Sequence, residues 1–189
     1  MMRLLLHVII LLPFIAAGQP VERPHFSMQA GFGAFHYINT LQIGSSLVDG
    51  RNTGFCFRVM REFEHRLALG VESGYYQFYK VSKSSTSSSP LGGEAILSVI
   101  PILLNIRMRV LPNFYLAGGT GVSILASEFG GPAGRTASSQ ISLADFQLSA
   151  LYMKVFRDHF EVGGELKLIN VAKTEDHGFA LMLMVGYRF

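Results

Sequence analysis

The sequence predicts an all-β fold: an eight-stranded antiparallel up-and-down transmembrane β-barrel that follows a cleaved signal peptide. Its 189 residues are 49% hydrophobic and only 15% charged, with a mean hydropathy of +0.33, which is apolar for a soluble domain. No internal stretch has the roughly 18 consecutive apolar residues that a transmembrane helix needs. A barrel reconciles these two observations, because only alternate residues of its strands must be apolar. The third observation is strand-like alternation along most of the chain.

Residues 1–18 are predicted to form the signal peptide. Arg3 supplies the positive charge, residues 4–15 form an apolar stretch interrupted by Pro13, and residues 16–18 are small enough for cleavage after position 17 or 18. The short, interrupted stretch argues against the alternative of an N-terminal membrane anchor. We therefore expect an exported protein whose barrel domain covers residues 19–189.

The end of the chain has the clearest strand pattern. From Phe179 to Phe189, alternate residues are bulky and apolar, and the residues between them are small, flexible or charged. A soluble strand would need solvated polar residues on its second face, whereas a narrow lumen suits the residues found there. The same period predicts eight strands, each near the roughly 9–11 residues that cross a bilayer. They are Phe26–His36, Phe55–Phe63, Leu67–Tyr75, Ile100–Val110, Phe114–Ile124, Phe146–Phe156, His159–Asn170 and Phe179–Phe189.

The predicted connections alternate between short and long. Residues 64–66, 111–113 and 157–159 form tight turns, as on the periplasmic side of such barrels, and four longer polar connections form the outer loops. Both termini should then be periplasmic. Six phenylalanines with outward parity lie at that end and predict an aromatic girdle. They are Phe26, Phe63, Phe114, Phe156, Phe160 and Phe189.

A few residues depart from this pattern. Four apolar residues have lumen parity: Leu97, Val99, Ile141 and Leu143. Counted from the predicted turns, all four lie above the outer edge of the bilayer. We therefore expect strands four and six to continue beyond the membrane and pack apolar groups there. Arg61 has outward parity, and we expect it to reach the lipid headgroups from its position near a turn.

Two segments resemble a known family. The ending VGYRF resembles the signal by which outer-membrane barrels are recognised for assembly, and IPILLNIRMRVLPNFYLAGGTGVS is similar to the fourth and fifth strands of the outer-membrane β-barrel domain family, which includes PorT-like proteins and barrels of the OmpA and OmpX kind. The resemblance covers essentially the whole mature chain. It implies a location in the cell outer membrane, and it makes Tyr187 and Phe189 part of the assembly signal read by the barrel-assembly machinery. Such motifs are specific for fold and weak for activity.

Nine charged residues have lumen parity or lie just above the lumen. An eight-stranded barrel is just wide enough for side chains to fill its interior. Charges enclosed there should pair, since an unpaired buried charge costs several kcal/mol. The sequence therefore predicts a plug of salt bridges, with a narrow ion path or a catalytic pair as the alternatives. The nine residues are Arg58, Glu72, Arg107, Arg109, Asp145, Glu161, Glu165, Lys167 and Arg188.

A lipid-modifying enzyme is the alternative to this interpretation. Such an enzyme needs a nucleophilic serine, a histidine base and an acid at the outer rim. His36 and His177 fall near that rim with Asp49, Glu175 and Asp176, but no compact His-x-Ser motif accompanies them. We therefore expect no catalytic residues, no cofactor and no metal site.

Other chemistry is disfavoured. Cys56 is the single cysteine, so no internal disulfide can form, and we interpret it as a small packing residue. Gly118, Gly119 and Gly121 form no phosphate loop, because no helix follows them; we expect them to relieve crowding in the barrel wall. The net charge of +3 is spread along the chain, without the clustered basic residues of a nucleic-acid interface.

The sequence thus predicts an integral outer-membrane protein with a structural or surface-interaction role, whose outer loops form its working surface. Expected partners are outer-membrane lipid, lipopolysaccharide and the barrel-assembly machinery, while any secretion or surface partner stays unidentified. Three alternatives remain open: a narrow pore, a lipopolysaccharide-modifying enzyme, and a soluble lipocalin-like carrier. The carrier would turn the apolar parity inward.

Overall fold

The computed structural model describes residues 24–38, 48–63, 66–83, 93–131, 134–157 and 159–189. The predicted signal peptide, residues 1–18, lies outside the described residues, as do residues 84–89 of the serine-rich stretch at 82–89, which is predicted to form a loop. Eight long strands are present in the described part: β1 (His25–Ile38), β2 (Arg51–Glu62), β3 (Leu67–Lys83), β4 (Gly93–Leu111), β5 (Phe114–Gly131), β6 (Gly134–Phe156), β7 (Phe160–Val171) and β8 (Asp176–Arg188). A two-residue strand, Val48–Asp49, precedes β2 and pairs with the outer end of β3. No helix in the described ranges is long and apolar enough to span a membrane.

The strands form a closed antiparallel ring. Each of the eight pairs with its neighbours in chain order, and β8 completes the ring by pairing with β1 from Ser27–Arg188 to Ile38–His177. At the end predicted to be periplasmic, the Phe189 amide donates a hydrogen bond of 2.9 Å to the Phe26 carbonyl. Closure satisfies the backbone groups that an edge strand would leave open in lipid. The predicted eight-stranded up-and-down barrel is therefore confirmed.

The outer face of the barrel is apolar. Among the residues predicted to face outward, Leu69 is 42% and Leu183 is 73% exposed, while Glu72 and Arg107 on the opposite parity are at most 1% exposed. Leu104, at 59%, also points outward. A soluble carrier would turn these leucines inward, and the apolar belt is far larger than the patches that soluble monomers expose. The apolar side chains therefore face outward, as predicted for a transmembrane barrel.

The end predicted to be periplasmic has girdle phenylalanines that point outward, and the turn at residues 111–113 is tight, whereas the turns at 64–66 and 157–159 include residues outside the described ones. Residues Pro112 and Asn113 connect β4 to β5, and Asn113 adopts a positive φ of 65°, which asparagine tolerates better than most residues. The Arg61 guanidinium lies 5.7 Å from the Phe26 ring centroid and 5.5 Å from that of Phe63. Arg61 therefore lies among the girdle phenylalanines, at the level where headgroups are within its reach.

Four adjacent strands extend beyond the others at the outer end. β3 to β6 have 17, 19, 18 and 23 residues, whereas the remaining four have 12 to 14. The extension was predicted for β4 and β6, and it also includes β3 and β5. Leu97 and Val99 on β4 are at most 5% exposed there and face the interior, as expected.

The prediction for Ile141 and Leu143 was wrong. Both point outward, at 62% and 67% exposed, and Ser142 between them is buried. The cause is a β-bulge: Gly121 pairs with Asp145 but Val122 pairs with Leu143, which leaves Ala144 unpaired with a positive φ of 63°. One extra residue inverts the parity of everything beyond it. Periodicity counted from the periplasmic turn therefore fails above this point.

Candidate functional site: the lumen charge clusters and the outer sheet edge

Four charged residues form the central cluster halfway up the lumen: Arg58, Glu72, Glu165 and Lys167. The Arg58 side chain is 1% exposed and the other three are 0% exposed. Arg58 Nε lies 3.1 Å from Glu72 Oε2, and Arg58 Nη2 donates to Glu165. Lys167 Nζ donates to Glu72 and lies 3.7 Å from Glu165 Oε2. Two cations and two carboxylates therefore alternate, and their charges balance.

Glu72 is the centre of this cluster. Asn105 Nδ2 and Gln147 Nε2 donate to Glu72 Oε2 at 2.7 and 2.8 Å, in addition to the hydrogen bond from Lys167 and the ion pair with Arg58. These partners come from β2, β4, β6 and β7, so one carboxylate on β3 links five of the eight strands. A carboxylate removed from water needs this many donors to offset its desolvation.

A second group, the lower cluster, lies near the periplasmic end and contains Glu62, Arg107, Glu161 and Arg188. Arg107 donates to Glu62, and Arg188 Nη2 lies 2.5 Å from Glu161 Oε1. Gln29 joins the two pairs, because its Oε1 accepts from Arg107 at 2.9 Å and its Nε2 donates to Glu161 at 2.6 Å. This cluster also has two cations and two carboxylates.

Glu62 is a member of the lower cluster that the sequence analysis missed. It lies within the predicted strand Phe55–Phe63, it shares the parity of Arg58, and its side chain is only 12% exposed. Counting two residues further along the strand would have found it. Tyr115 was missed as well: its ring lies 4.8 Å below the Arg107 guanidinium, and its hydroxyl accepts from Arg188 at 3.4 Å.

Two of the predicted charges play different parts. Asp145 accepts hydrogen bonds from the Ser142 hydroxyl at 2.6 Å and the Ala172 amide at 2.8 Å, so it holds the connection between β7 and β8. Arg109 is half-buried on β4, towards the periplasmic turn from Arg107. The other seven predicted residues all lie in one of the two clusters.

Above the central cluster the lumen is filled by aromatic side chains, which the sequence analysis did not single out. Phe35, Tyr37, Tyr76 and Phe78 are each at most 3% exposed. The Phe35 ring centroid lies 4.8 Å from that of Phe78 and 5.6 Å from that of Tyr76. Cys56 is buried here as well, with its Sγ 3.8 Å from the Met182 Sδ. In the sequence these four aromatic residues have lumen parity towards the outer ends of β1 and β3, so the alternation could have identified them.

The groups considered for catalysis at the outer rim lie on different faces of the wall. His36 points outward, whereas Asp176 is buried inside and accepts the Tyr37 hydroxyl at 2.6 Å. His177 Nδ1 is 2.7 Å from Asn170 Nδ2. No cluster of three His, Cys, Asp or Glu residues suited to a metal ion occurs in the described part of the chain. The side chain of Asp49 lies outside the described residues.

Within the described residues, the outer part of β6 has an edge that pairs with no other strand. Pairing between β6 and β7 ends at Phe146–Asn170, while β6 begins at Gly134. Lys173 Nζ donates to the Ile141 carbonyl at 3.3 Å, and residues 134–140 beyond it are exposed on both faces. Their opposite edge pairs with β5. In the described residues, this outer segment is therefore an edge strand that projects from the barrel.

Comparison with known proteins gives structural matches. No protein-family model and no curated sequence matches the chain. Ail, the attachment invasion locus protein of Yersinia pestis, solved in complex with the heparin analogue sucrose octasulfate, superposes with a TM-score of 0.57 at 15% identity, covering 89% of this chain and 100% of Ail. A second crystal structure of Ail gives 0.54 with the same identity and coverage. The outer membrane protein OprG from Pseudomonas aeruginosa gives 0.47 at 13% identity, covering 89% of this chain and 97% of OprG. Ail is itself an outer membrane protein, and the chain described here has the fold of a small outer-membrane β-barrel.

Proposed function

We propose that this protein is an integral barrel of the outer membrane with a structural or surface-interaction role, that it is not an enzyme, and that charged side chains close its lumen. The apolar belt and the closed ring support the location. The observation that carries the functional proposal is the projecting sheet of β3 to β6, with the open edge of β6 at its side.

The two charge clusters support a closed lumen. An eight-stranded barrel leaves room for little more than its own side chains. Here the central cluster, the lower cluster and the aromatic side chains occupy successive levels of that space. The expected result of single-channel recording in planar bilayers is no steady conductance. Steady openings of the purified protein would favour the narrow pore instead.

The open edge of β6 supports recognition of an extended polypeptide. An unpaired edge presents a row of backbone N–H and C=O groups that can add one more strand. Residues 134–140 are polar or small, which keeps such an edge soluble until a partner pairs with it. Arg135, exposed at 71%, adds charge that disfavours pairing of like edges.

This proposal is tested by shortening the β5–β6 hairpin. Replacing residues 128–137 with Asn-Gly would join the facing residues Ser127 and Ser138 through a two-residue turn and remove most of the open edge. The matched control replaces residues 84–92 with Asn-Gly between the facing residues Lys83 and Gly93. At equal surface abundance, we expect only the first variant to lose cell aggregation and attachment to matrix proteins. Equal behaviour of both variants and the wild type would contradict the proposal.

The enzymatic alternative has its own test. A lipopolysaccharide-modifying enzyme would change the mass of lipid A when it is overexpressed, and we expect no such change. We further propose that outer-membrane lipid and lipopolysaccharide surround the apolar belt. The barrel-assembly machinery would recognise the strand that ends in Tyr187 and Phe189, whose rings pack edge to face at 5.1 Å.

A further inference from the structure

One outward-facing groove has a charged rim. It lies on the lipid side of β2, β1, β8 and β7, has a volume of about 410 Å³, and its floor is Ala34. The groove exists because Ala34 projects a single carbon, whereas Leu181 beside it in register and Leu166 on β7 project full side chains. The walls and floor are therefore apolar.

The upper end of this groove is polar. His36 lies opposite Arg51 on β2 and opposite Phe179 on β8, and all three side chains point outward. Directly facing residues of an antiparallel pair place their Cβ atoms about 4.5–5.5 Å apart. An imidazole and a guanidinium thus lie side by side above the apolar groove.

The height of this rim matches the outer membrane interface. Phe26 of the periplasmic girdle and His36 lie on the same strand, ten residues apart (36 − 26). At about 3.3 Å per residue and a tilt near 40°, that separation spans about 25 Å, the height of the apolar band of such barrels. Arg51 and His36 are consequently level with the headgroups of the outer leaflet.

We propose that this groove, named here the Ala34 groove, binds a phosphorylated lipid of the outer leaflet. One acyl chain lies over Ala34 against the Leu181 side chain, and the phosphate accepts hydrogen bonds from Arg51 and His36. Arginine suits phosphate because its planar guanidinium can donate two parallel hydrogen bonds. This inference deepens the proposed contact with outer-membrane lipid by naming one site and one headgroup chemistry, and it rests on the membrane location proposed above.

A second groove provides a matched control. It lies across the barrel on β4, β5 and β6, has a volume of about 530 Å³, and forms where Gly118 leaves a gap between Ile106 and Leu148. Its lining residues include no basic side chain. It offers an acyl chain similar space but offers a phosphate no cation.

The test is a lipid titration of the full-length protein, purified in detergent and followed by native mass spectrometry. The probes are bisphosphorylated lipid A, the same lipid after phosphate removal, and inorganic phosphate. For the wild type we expect preferential retention of lipid A, with no retention of inorganic phosphate. The double variant Arg51→Gln, His36→Gln should weaken lipid A binding at least about tenfold and leave the dephosphorylated lipid unchanged.

Filling each groove with a leucine side chain distinguishes the contact with the acyl chain from the contact with the phosphate. Ala34→Leu should weaken binding of both lipids, whereas Gly118→Leu should leave lipid A binding unchanged. Heat-modifiable gel mobility verifies that each variant is folded. Equal lipid A affinity of the wild type and the Arg51, His36 double variant would overturn the inference, as would equal effects of Ala34→Leu and Gly118→Leu. Either result would leave the closed lumen and the β6 edge proposal intact.

Discussion

Replacing Glu72 with glutamine tests whether the central cluster stabilises the barrel. The substitution keeps the size of the side chain but removes one of the two carboxylates, so that Arg58 and Lys167 share Glu165 alone. Glu72 is 0% exposed, and water cannot replace the missing charge. Breaking a buried pair in this way costs about 3–5 kcal/mol. Coulomb's law gives a similar size, about 4 kcal/mol for unit charges 4 Å apart at an effective dielectric of about 20.

A compensating substitution makes the test specific for charge. Lys167→Met alone should also destabilise the barrel, because it leaves two carboxylates with Arg58 alone. Combined with Glu72→Gln, it leaves one cation and one carboxylate, which the structure already pairs as Arg58 and Glu165. We expect the double variant to lose less free energy of unfolding than the sum of the two single variants, by about 1–3 kcal/mol.

The assay is urea unfolding of the protein from lipid vesicles, followed by the circular dichroism of the strands. Glu94→Gln is the control, since Glu94 pairs with Lys80 at 2.8 Å where both side chains are 41% exposed. An exposed pair of this kind contributes at most about 1 kcal/mol. The reasoning is refuted if Glu72→Gln costs no more than Glu94→Gln, or if the effects of Glu72→Gln and Lys167→Met are additive.

Three further predictions concern the wall. Deleting Phe189 or replacing it with Asp should sharply lower the amount of protein in the outer membrane, because this residue ends the closing strand. Immunoblots of membrane fractions measure that amount, and Ser87→Ala should leave it unchanged. Normal abundance of the deletion variant would contradict this account of closure. Leu104→Lys places a charge in the apolar belt and should lower the free energy of unfolding by about 2–4 kcal/mol. Ile141→Lys, above the bulge, should leave it almost unchanged. Similar losses for the two variants would refute the position assigned to the membrane. Ala144→Val forces a β-branched residue into a positive φ and should destabilise by about 1 kcal/mol or more, and an unchanged unfolding midpoint would argue against the bulge.

Much of the barrel follows from local pattern. The parity of Leu104 against Arg107 is visible in the sequence, because side chains alternate between the two faces of any strand. The tight turn at Pro112 and Asn113 follows from residue types that suit a turn. Seven of the nine predicted charges lie in the two clusters, because parity alone determines whether a side chain faces the lumen.

The partners of those charges were not visible in the sequence. Arg58 pairs with Glu165 on β7, and Arg107 pairs with Glu62 on β2. Which charges share a level depends on the stagger between strands, and that stagger depends on closure of the whole ring. The sequence therefore predicts one plug, whereas the structure has two balanced clusters with Gln29 as part of the lower one.

The sequence by itself determined the strand count, the lipid-facing parity and the closure at the C-terminal strand, because each depends on a period of two residues repeated within a segment. Tertiary structure decided the bulge at Ala144, which turns Ile141 and Leu143 outward, and the open edge of β6. A bulge and an unpaired edge are both relations between neighbouring strands. They depend on where the partner strand lies. The last pair between β6 and β7 is Phe146–Asn170, and the part of β6 from Gly134 to Asp145 extends past the end of β7 at Val171.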